Sequence, residues 1–504
     1  MNIKRAKEEI KNTIEAYLLK DEYGEYVIPQ IRQRPVLMLG APGIGKTQIM
    51  EQIAKECGIG LVAYTITHHT RQSAIGLPFI SKKEFGGSEY TITEYTMSEI
   101  VASVYEKMEK TGLSEGILFI DEINCVSETL APAMLQFLQC KTFGSHEIPQ
   151  GWIIVAAGNP PEYNKSVREF DVVTMDRVKK IEVEPDFGVW KEYAVRQQLH
   201  PAVISYLNTR PSNFYKMETT VDGRKFATPR GWEDLSAMLE VYEKLGKKMD
   251  REVVVQYIQH EMAAKDFANY LELYYKYQMD YQLDAVLSGT IDPILLKKAA
   301  HASFDERLSV VSLLLSRCRN CFADLFRNDS VRELLYENLK VLKDGLLGAY
   351  SSQPLFFVEE ITEALRKEGE QKKKAELLTR AQERIYRKTY GILEEYGKKL
   401  RDANAADGEA AFGYIKDWFE EYQDELEKAQ EDGGRMLEYA FDFMEEAFGN
   451  GQEMVIFITE LNNDFYSVKF LQEYECERYY RYNKELLFDE SGQSIEKRLQ
   501  ELGR

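Results

Sequence analysis

The sequence predicts an α/β domain built on a parallel β-sheet over residues 1–183, followed by a region that is largely α-helical. Three observations predict this architecture. Short apolar or β-branched runs alternate with amphipathic stretches as far as residue 183. Beyond residue 184 the strand pattern fades, and from about residue 270 the periodicity is almost wholly helical. Strands that alternate with helices favour a parallel sheet covered on both faces by helices.

The strands and helices of the first region follow from the spacing of apolar residues. Runs of strand length occur at residues 36–39, 61–67, 117–120, 153–157 and 179–183. Between them, residues 47–57 and 97–110 carry apolar side chains at i, i+3 and i+4, which is typical of helices packed on a sheet. We therefore predict strands at these positions, connected by helices.

Two further segments of this region predict β-hairpins. Residues 78–95 (PFISKKEFGGSEYTITEY) place Gly86 and Gly87 between two alternating runs. Residues 141–152 (KTFGSHEIPQGW) place Gly144 and Ser145 in a similar position. Glycine supplies the positive φ angles that tight hairpin turns require. The hairpins are therefore expected as inserts in the α/β domain.

The C-terminal half is predicted to be helical over residues 271–504, with a long helical arm at about 355–430. Four aliphatic residues at spacings of 3, 4 and 7 predict an extended helix with one narrow apolar seam. They are Leu378, Ala381, Ile385 and Ile392. Residues 404–413 (NAADGEAAFG) interrupt this helix, and a second helical run from about 413 to 430 can fold back on it. Such a seam either packs as a helical hairpin or binds another protein.

Composition disfavours several classes of protein. The 504 residues include 83 acidic and 64 basic side chains, a formal net charge of −19, which argues against broad electrostatic binding to nucleic acid. The longest apolar stretches fall short of the roughly 18–20 residues that cross a bilayer. The N-terminal segment is typical of a helix and not of a signal peptide. Six cysteines do not form a disulfide framework in a chain of this length, so we expect a cytoplasmic protein.

The most informative motif directly follows the first predicted strand. Its residues match G-x-x-x-x-G-K-[ST] and open a helix; they are Gly40, Ala41, Pro42, Gly43, Ile44, Gly45, Lys46 and Thr47. Glycines let the backbone wrap around phosphates, whose negative charge faces the N–H groups at the helix N-terminus. We expect Lys46 to contact the β- and γ-phosphates and Thr47 to bind Mg²⁺. The motif therefore predicts a site for ATP and magnesium.

Two adjacent carboxylates, Asp121 and Glu122, end the predicted strand in ILFIDE. Ligands of open parallel sheets bind at this carboxyl edge, so Asp121 can reach the magnesium ion and Glu122 can activate the attacking water. A base that activates water points to hydrolysis. The pair therefore favours an ATP hydrolase over an enzyme that transfers phosphate to a metabolite.

Five motifs resemble those of the AAA+ ATPases, in the order of that family, and within it those of the MoxR-like branch (dynein-related AAA domain). They are GAPGIGKT, LFIDE, the end of WIIVAAGN, MDRVKKIEV and ATPRGWEDLS, within roughly residues 1–270. The two predicted hairpins match the inserts that mark this branch. The resemblance implies a nucleotide-binding core at 1–183, a helical lid at 184–270, and assembly into a ring, expected to be a hexamer.

The resemblance also implies roles for three polar residues. Asn159 would be the first sensor, which holds the water near the γ-phosphate. Arg177 would be the arginine finger, which reaches the nucleotide of a neighbouring subunit, and Arg168 is the alternative finger. Arg230, in the lid, would be the second sensor. Hydrolysis of a phosphate needs the water to be positioned and the charge of the phosphates to be neutralised. An amide suits the first task, and guanidinium groups suit the second.

The function predicted from these features is ATP hydrolysis that remodels or assembles a partner protein, as a chaperone does. The MoxR-like resemblance implies a partner that carries a von Willebrand factor A domain. The helical C-terminal half is the predicted docking region. Two alternatives stay open, a small-molecule P-loop kinase and a nucleic-acid-acting AAA+ motor, whose binding to DNA would weaken steeply with salt.

Overall fold

The computed structural model describes residues 1–68, 74, 76–143, 146–163, 170–220, 223–405 and 407–486. The chain forms two compact units. The first, here called the α/β unit, comprises Met1–Val189, Thr228–Arg230 and Gln371–Thr379. The second, here called the helical unit, comprises Trp190–Ala227, Gly231–Glu370 and Arg380–Arg504. The domain boundaries predicted at residues 183 and 270 stay predictions.

A parallel sheet lies at the centre of the α/β unit. The strands of this unit are β1 (Val36–Gly40), β2 (Gly60–Thr65), β3 (Pro78–Phe85), β4 (Ser88–Tyr95), β5 (Gly116–Asp121), β6 (Thr142–Phe143), β7 (His146–Glu147), β8 (Trp152–Gly158) and β9 (Lys179–Val183). Five of them pair in the order β2-β5-β8-β1-β9, all parallel. Every residue of β8 is buried, as helices on both faces would require.

All five predicted sheet strands are confirmed, and one of them is shorter than predicted. β2 ends at Thr65, and Ile66–His68 forms a 3-10 turn in place of the last predicted strand residues. Because β8 lies between β5 and β1, the carboxyl ends of these three strands are neighbours at one edge of the sheet. Asp121 ends β5, Gly158 ends β8, and Gly40 ends β1.

Amphipathic helices cover this sheet. They are Ile3–Leu18, Lys46–Cys57, Glu99–Thr111, Ala131–Cys140 and Val172–Arg177. The helices predicted at 47–57 and 97–110 are confirmed to within two residues. The second begins at Glu99 because the Ser98 side chain accepts a hydrogen bond from the Ile100 N–H and caps the helix. The apolar faces of Glu99–Thr111 and Ala131–Cys140 join the strands in one buried core that includes Leu118, Ile154 and Phe137.

The insert β3–β4 is the predicted hairpin. Its strands pair antiparallel, and its two-residue turn contains Gly86 and Gly87 at φ angles of 59° and 83°. β6 and β7 also pair antiparallel, as predicted, while their turn at Gly144 and Ser145 lies outside the described residues. The β3–β4 hairpin exposes large apolar side chains, among them Phe79, Ile80, Phe85 and Tyr90.

The chain beyond β9 is mostly helical, as predicted. Its helices are Phe187–Arg196, Pro201–Thr209, Pro229–Lys244, Arg251–Tyr257, Glu261–Asp280, Leu283–Val286, Pro293–Ala300, Phe304–Leu346, Pro354–Lys374, Arg380–Ala403, Gly408–Phe448, Gln452–Asn463 and Phe465–Glu473, followed by helical residues 477–486. A small hairpin of β10 (Lys216–Thr220) and β11 (Gly223–Ala227) lies among them. None of the helices in the described part of the chain has the length and apolar character needed to span a membrane.

The predicted apolar seam differs from the buried stripe of the structure. Helix Arg380–Ala403 begins after Leu378, Ala381 is exposed on it, and Ile385 and Ile392 are half-buried. The stripe that packs inward contains Leu393, Tyr396 and Leu400. The prediction was wrong in detail because it followed aliphatic residues alone and began before the helix did.

This stripe takes part in a core shared by four helices of the helical unit. Leu339 and Leu342 come from helix Phe304–Leu346, and Phe357 comes from Pro354–Lys374; Leu393 and Ile415 come from the next two helices. The break predicted at 404–413 is confirmed, since one helix ends at Ala403 and the next begins at Gly408. The buried stripe of helix Arg380–Ala403 therefore packs within the chain, which is one of the two uses predicted for the seam.

Candidate nucleotide-binding site

The loop between β1 and helix Lys46–Cys57 contains the motif residues from Gly40 to Thr47. Gly43 and Gly45 have φ angles of 75° and 92°, a left-handed conformation that glycine adopts without strain. Gly45 caps the helix, so the first N–H groups of Lys46–Cys57 are directed into the loop, where a phosphate can accept from them. The local geometry matches the phosphate-binding loop that the sequence predicts.

Lys46 is the most buried polar residue of this loop, with 8% of its surface exposed. Its ammonium group donates to the backbone oxygens of Gly40 (2.8 Å) and Ala41 (2.9 Å) and to Asn159 Oδ1 (2.8 Å). Burial lowers the pKa of Lys46 to about 8, against the opposing effect of the charge on Asp121. The lysine therefore places a cation at the loop and links it directly to the end of β8.

Asp121 lies beside the loop, at the end of β5. Thr47 Oγ1 donates to Asp121 Oδ2 over 3.2 Å, and the backbone N–H of Glu122 donates to Asp121 Oδ1 over 2.9 Å. A hydroxyl and a carboxylate oxygen at this separation are the hard oxygen donors that Mg²⁺ prefers. Among the described residues, no group of three or more His, Cys, Asp or Glu side chains could hold a metal ion. A magnesium ion here would therefore need oxygens from phosphates or water to complete its shell.

Glu122 adopts an unusual backbone conformation. Its φ and ψ angles are 58° and 33°, in the left-handed region, at the start of the short helix Ile123–Cys125. This conformation costs a residue other than glycine roughly 1–3 kcal/mol and persists where the surroundings impose it, often at functional sites. The charge of Glu122 also acts on Lys46, raising its pKa. The predicted base therefore lies within electrostatic reach of the phosphate-binding loop.

Arg230 reaches the same loop from far along the chain. Thr228–Arg230 belongs to the α/β unit, and the backbone N–H of Arg230 donates to Gly43 O over 3.2 Å. Its side chain is exposed, and its charge contributes to lowering the pKa of Lys46. The structure therefore brings the predicted second sensor to the phosphate-binding loop.

Arg177 has a different location. It is exposed at the end of helix Val172–Arg177 and donates a hydrogen bond to the Gln139 side chain, which is not part of the loop. Arg168, the alternative finger, lies outside the described residues. The choice between the two arginines stays a prediction.

Sequence reasoning missed two residues of this region. Asn124 is 4% exposed and donates from Nδ2 to the Asn159 backbone oxygen over 2.7 Å. Thr228 packs against the loop, since a Cβ at Gly43 would lie 3.1 Å from the Thr228 side chain. A polar residue in the apolar run INCV was a signal for Asn124. For Thr228 the signal was its place in the ATPRGWEDLS motif, two residues before Arg230.

Comparison with known families places this site in context. Residues 36–175 match the family model described as ATPase family associated with various cellular activities (AAA). The chain contains an AAA domain. The match begins at β1 and ends in helix Val172–Arg177, so it includes the phosphate-binding loop, Asp121, Glu122 and Asn159. The match supports a nucleotide-binding ATPase domain over these residues. No curated protein matched the chain.

Proposed function

We propose that this chain is an ATP hydrolase of the MoxR-like branch of AAA+ ATPases, which assembles into a ring and remodels or assembles a partner protein. The observation that carries the proposal is the convergence of the catalytic candidates. Lys46, Asp121, Glu122 and Asn159 lie at the ends of neighbouring strands, and Arg230 is bonded to the same loop. This combination suits the hydrolysis of a phosphoanhydride.

In the proposed reaction, water attacks the γ-phosphorus and the bond to the oxygen that bridges to the β-phosphorus breaks, which yields ADP and phosphate. Glu122 accepts the proton of the water, and the amide of Asn159 orients it. Lys46 and Arg230 compensate the negative charge on the phosphate oxygens. Lys46 would exchange its present bond to Asn159 for bonds to phosphate, which would leave the Asn159 amide free for the water.

The donor set of Thr47 and Asp121 fits a magnesium ion, as described above. In a nucleotide complex these two side chains would hold it, directly or through water. The bound ion supplies positive charge to the phosphate oxygens. Thr47 and Asp121 also orient each other, because the hydroxyl donates to the carboxylate and keeps its lone pairs available.

Ring assembly and partner binding complete the proposal. Arg177 is exposed and turned to a residue outside the loop, as expected of a finger that serves a neighbouring subunit. The partner would bind the helical C-terminal half, where residues 401–450 carry 15 acidic and 4 basic side chains. By the MoxR-like resemblance, a protein with a von Willebrand factor A domain is the first candidate to test. Attraction to this acidic face would weaken as salt rises.

Two substitutions test the proposed hydrolase. Lys46→Ala should abolish ATP binding, because the phosphates lose a buried cation. Glu122→Gln should bind ATP normally and hydrolyse it on the order of 10²-fold or more slowly, because the base is lost. ATP affinity and phosphate release without any added acceptor are the measurements. Glu51→Gln, on the exposed face of helix Lys46–Cys57, is the matched control and should behave as wild type.

The outcomes separate the alternatives. A wild-type protein that forms ADP only with an added metabolite, and without releasing free phosphate, would be a kinase. One whose activity depends on DNA would favour the nucleic-acid motor. A Glu122→Gln protein with the wild-type rate would disprove the assigned base. The same variant, held in its ATP state, should retain the partner protein for identification.

A further inference from the structure

A buried amide beside the proposed active site connects two of its parts. Asn124 lies two residues after Glu122, in the short helix Ile123–Cys125, and 4% of it is exposed. Its Nδ2 donates a 2.7 Å hydrogen bond to the backbone oxygen of Asn159. One side chain therefore joins the turn that carries the predicted base to the strand end that carries the predicted first sensor.

The neighbours of this amide determine its orientation. The Asn159 oxygen accepts a hydrogen bond, so the NH₂ group must face it, and Oδ1 is left on the side of Gly158. This buried oxygen has no hydrogen-bond partner among the described residues. An unpaired buried acceptor costs about 1–3 kcal/mol, which an aliphatic side chain would avoid. Among the described residues, the bond from Asn124 Nδ2 to the Asn159 oxygen is what offsets this cost.

Gly158 leaves the space that the amide occupies. A Cβ built on Gly158 would lie 2.5 Å from Asn124 Oδ1 and 2.8 Å from Asn124 Cγ. Gly158 has no positive φ angle, so its backbone conformation would accept alanine. The requirement for glycine at the end of β8 therefore comes from the close approach of Asn124.

We propose that Asn124 is a positioning residue, which holds Glu122 and Asn159 in the relative placement that lets both contact one attacking water. This inference rests on the proposed hydrolase function. Glu122 has a left-handed backbone, which its surroundings must maintain. The Asn124 bond restrains the chain two residues further on, and the Cys125 N–H bond to Glu122 O (2.8 Å) closes the turn between them.

The first test separates positioning from folding. Asn124→Ala should lower kcat for ATP hydrolysis by about 10- to 100-fold, because the base and the sensor are displaced from each other. The KM and Kd for ATP should stay within about twofold, since the phosphate-binding loop is untouched. Asn338→Ala is the matched control, because it removes a 2.8 Å bond from a side-chain amide to Leu334 O in the helical unit. It should leave kcat unchanged.

The second test uses the contact with Gly158. Gly158→Ala should displace the Asn124 amide and lower kcat as Asn124→Ala does. The double variant should then be no slower than Asn124→Ala alone, because the displaced group is already absent. Losses that multiply in the double variant would overturn the proposal. So would a fall in kcat that only matches a smaller folded, ATP-binding fraction.

Failure of the inference can be told from failure of the proposed function. An active wild type, an inactive Glu122→Gln protein and a fully active Asn124→Ala protein would exclude the positioning role alone. If Asn124→Ala does not fold, Asn124→Asp replaces it. Its carboxyl group can donate to Asn159 O only when protonated, so its kcat relative to wild type should fall as pH rises. A ratio that does not change with pH would reject the proposal.

Discussion

Lys141 is a second buried lysine of the α/β unit and differs from Lys46 in its surroundings. It is 5% exposed, and its ammonium group donates to the backbone oxygen of Gln30 over 2.7 Å. Burial lowers the pKa of Lys141 to about 8. Its backbone has a φ angle of 57° at the end of helix Ala131–Cys140, so the residue also terminates that helix. At pH 7 the folded protein therefore keeps a charged amine in a buried position.

This lysine predicts a pH dependence of stability. The unfolded chain binds the Lys141 proton up to pH 10.5, whereas the folded chain releases it near pH 8. Below pH 8 the buried charge of Lys141 therefore lowers the free energy of unfolding by its full amount. This destabilisation decreases as pH rises and disappears at about pH 10.5. Compared with Lys141→Met, wild type should gain up to about 3 kcal/mol of relative stability across this window. Thermal midpoints of both proteins at pH 7.5 and pH 10 measure it; an unchanged difference would contradict the prediction.

Two helices of the helical unit approach each other closely at a glycine. Gly345 lies in helix Phe304–Leu346, and a Cβ built there would lie 2.0 Å from Phe357 Cε1 in helix Pro354–Lys374. The Phe357 ring is 7% exposed and stacks on Tyr350 with ring centres 4.2 Å apart. The contact between the two helices therefore depends on the missing side chain at Gly345.

Two alanine substitutions test this packing at the scale of helices. Gly345→Ala should destabilise the protein by about 1–3 kcal/mol, because the ring must move or the helices must separate. Gly391→Ala is the matched control, since a Cβ at this helical glycine meets nothing within 4 Å. It should stabilise by about 0.5–1 kcal/mol through the entropy of the unfolded chain. Chemical denaturation measures both; equal effects of the two substitutions would rule out the close contact as the cause.

At the scale of the whole molecule, the proposal links activity to assembly. One chain brings most of the proposed catalytic residues together at the phosphate-binding loop. Arg177 is not among them, because it is exposed and bonded to the Gln139 side chain. An arginine finger supplied by another subunit increases the rate on the order of 10³-fold or more. The activity of each subunit should therefore depend on protein concentration.

Arg177→Ala should remove most of the ATPase activity while ATP affinity stays unchanged, because the finger acts on the transition state. Turnover per subunit of the wild type should rise with concentration as rings form. Arg32→Ala, another exposed arginine of the α/β unit, is the control and should retain activity. Concentration-independent turnover together with a fully active Arg177→Ala protein would exclude a finger supplied in trans.

Much of the α/β unit could be predicted from local sequence. The five sheet strands and the hairpin at Gly86 and Gly87 follow from periodicity and turn chemistry, which act over a few residues. The phosphate-binding loop is equally local, because its glycines and Lys46 are consecutive. The apolar seam at Leu378 and Ala381 was misplaced, because the start of a helix and the direction of its buried face depend on packing with distant helices.

The sequence by itself determined which groups are available for chemistry: a lysine on a glycine loop, two carboxylates at a strand end, an amide and several arginines. Only the tertiary structure decided which of them meet. Arg230 is far from Gly43 in sequence and bonds to it, whereas Arg177 does not bond to the loop. The Asn124 bond to Asn159 likewise depends on β5 and β8 being neighbours in the sheet. Local patterns specify strands and turns, but strand order and long-range contacts arise from burial of the whole core.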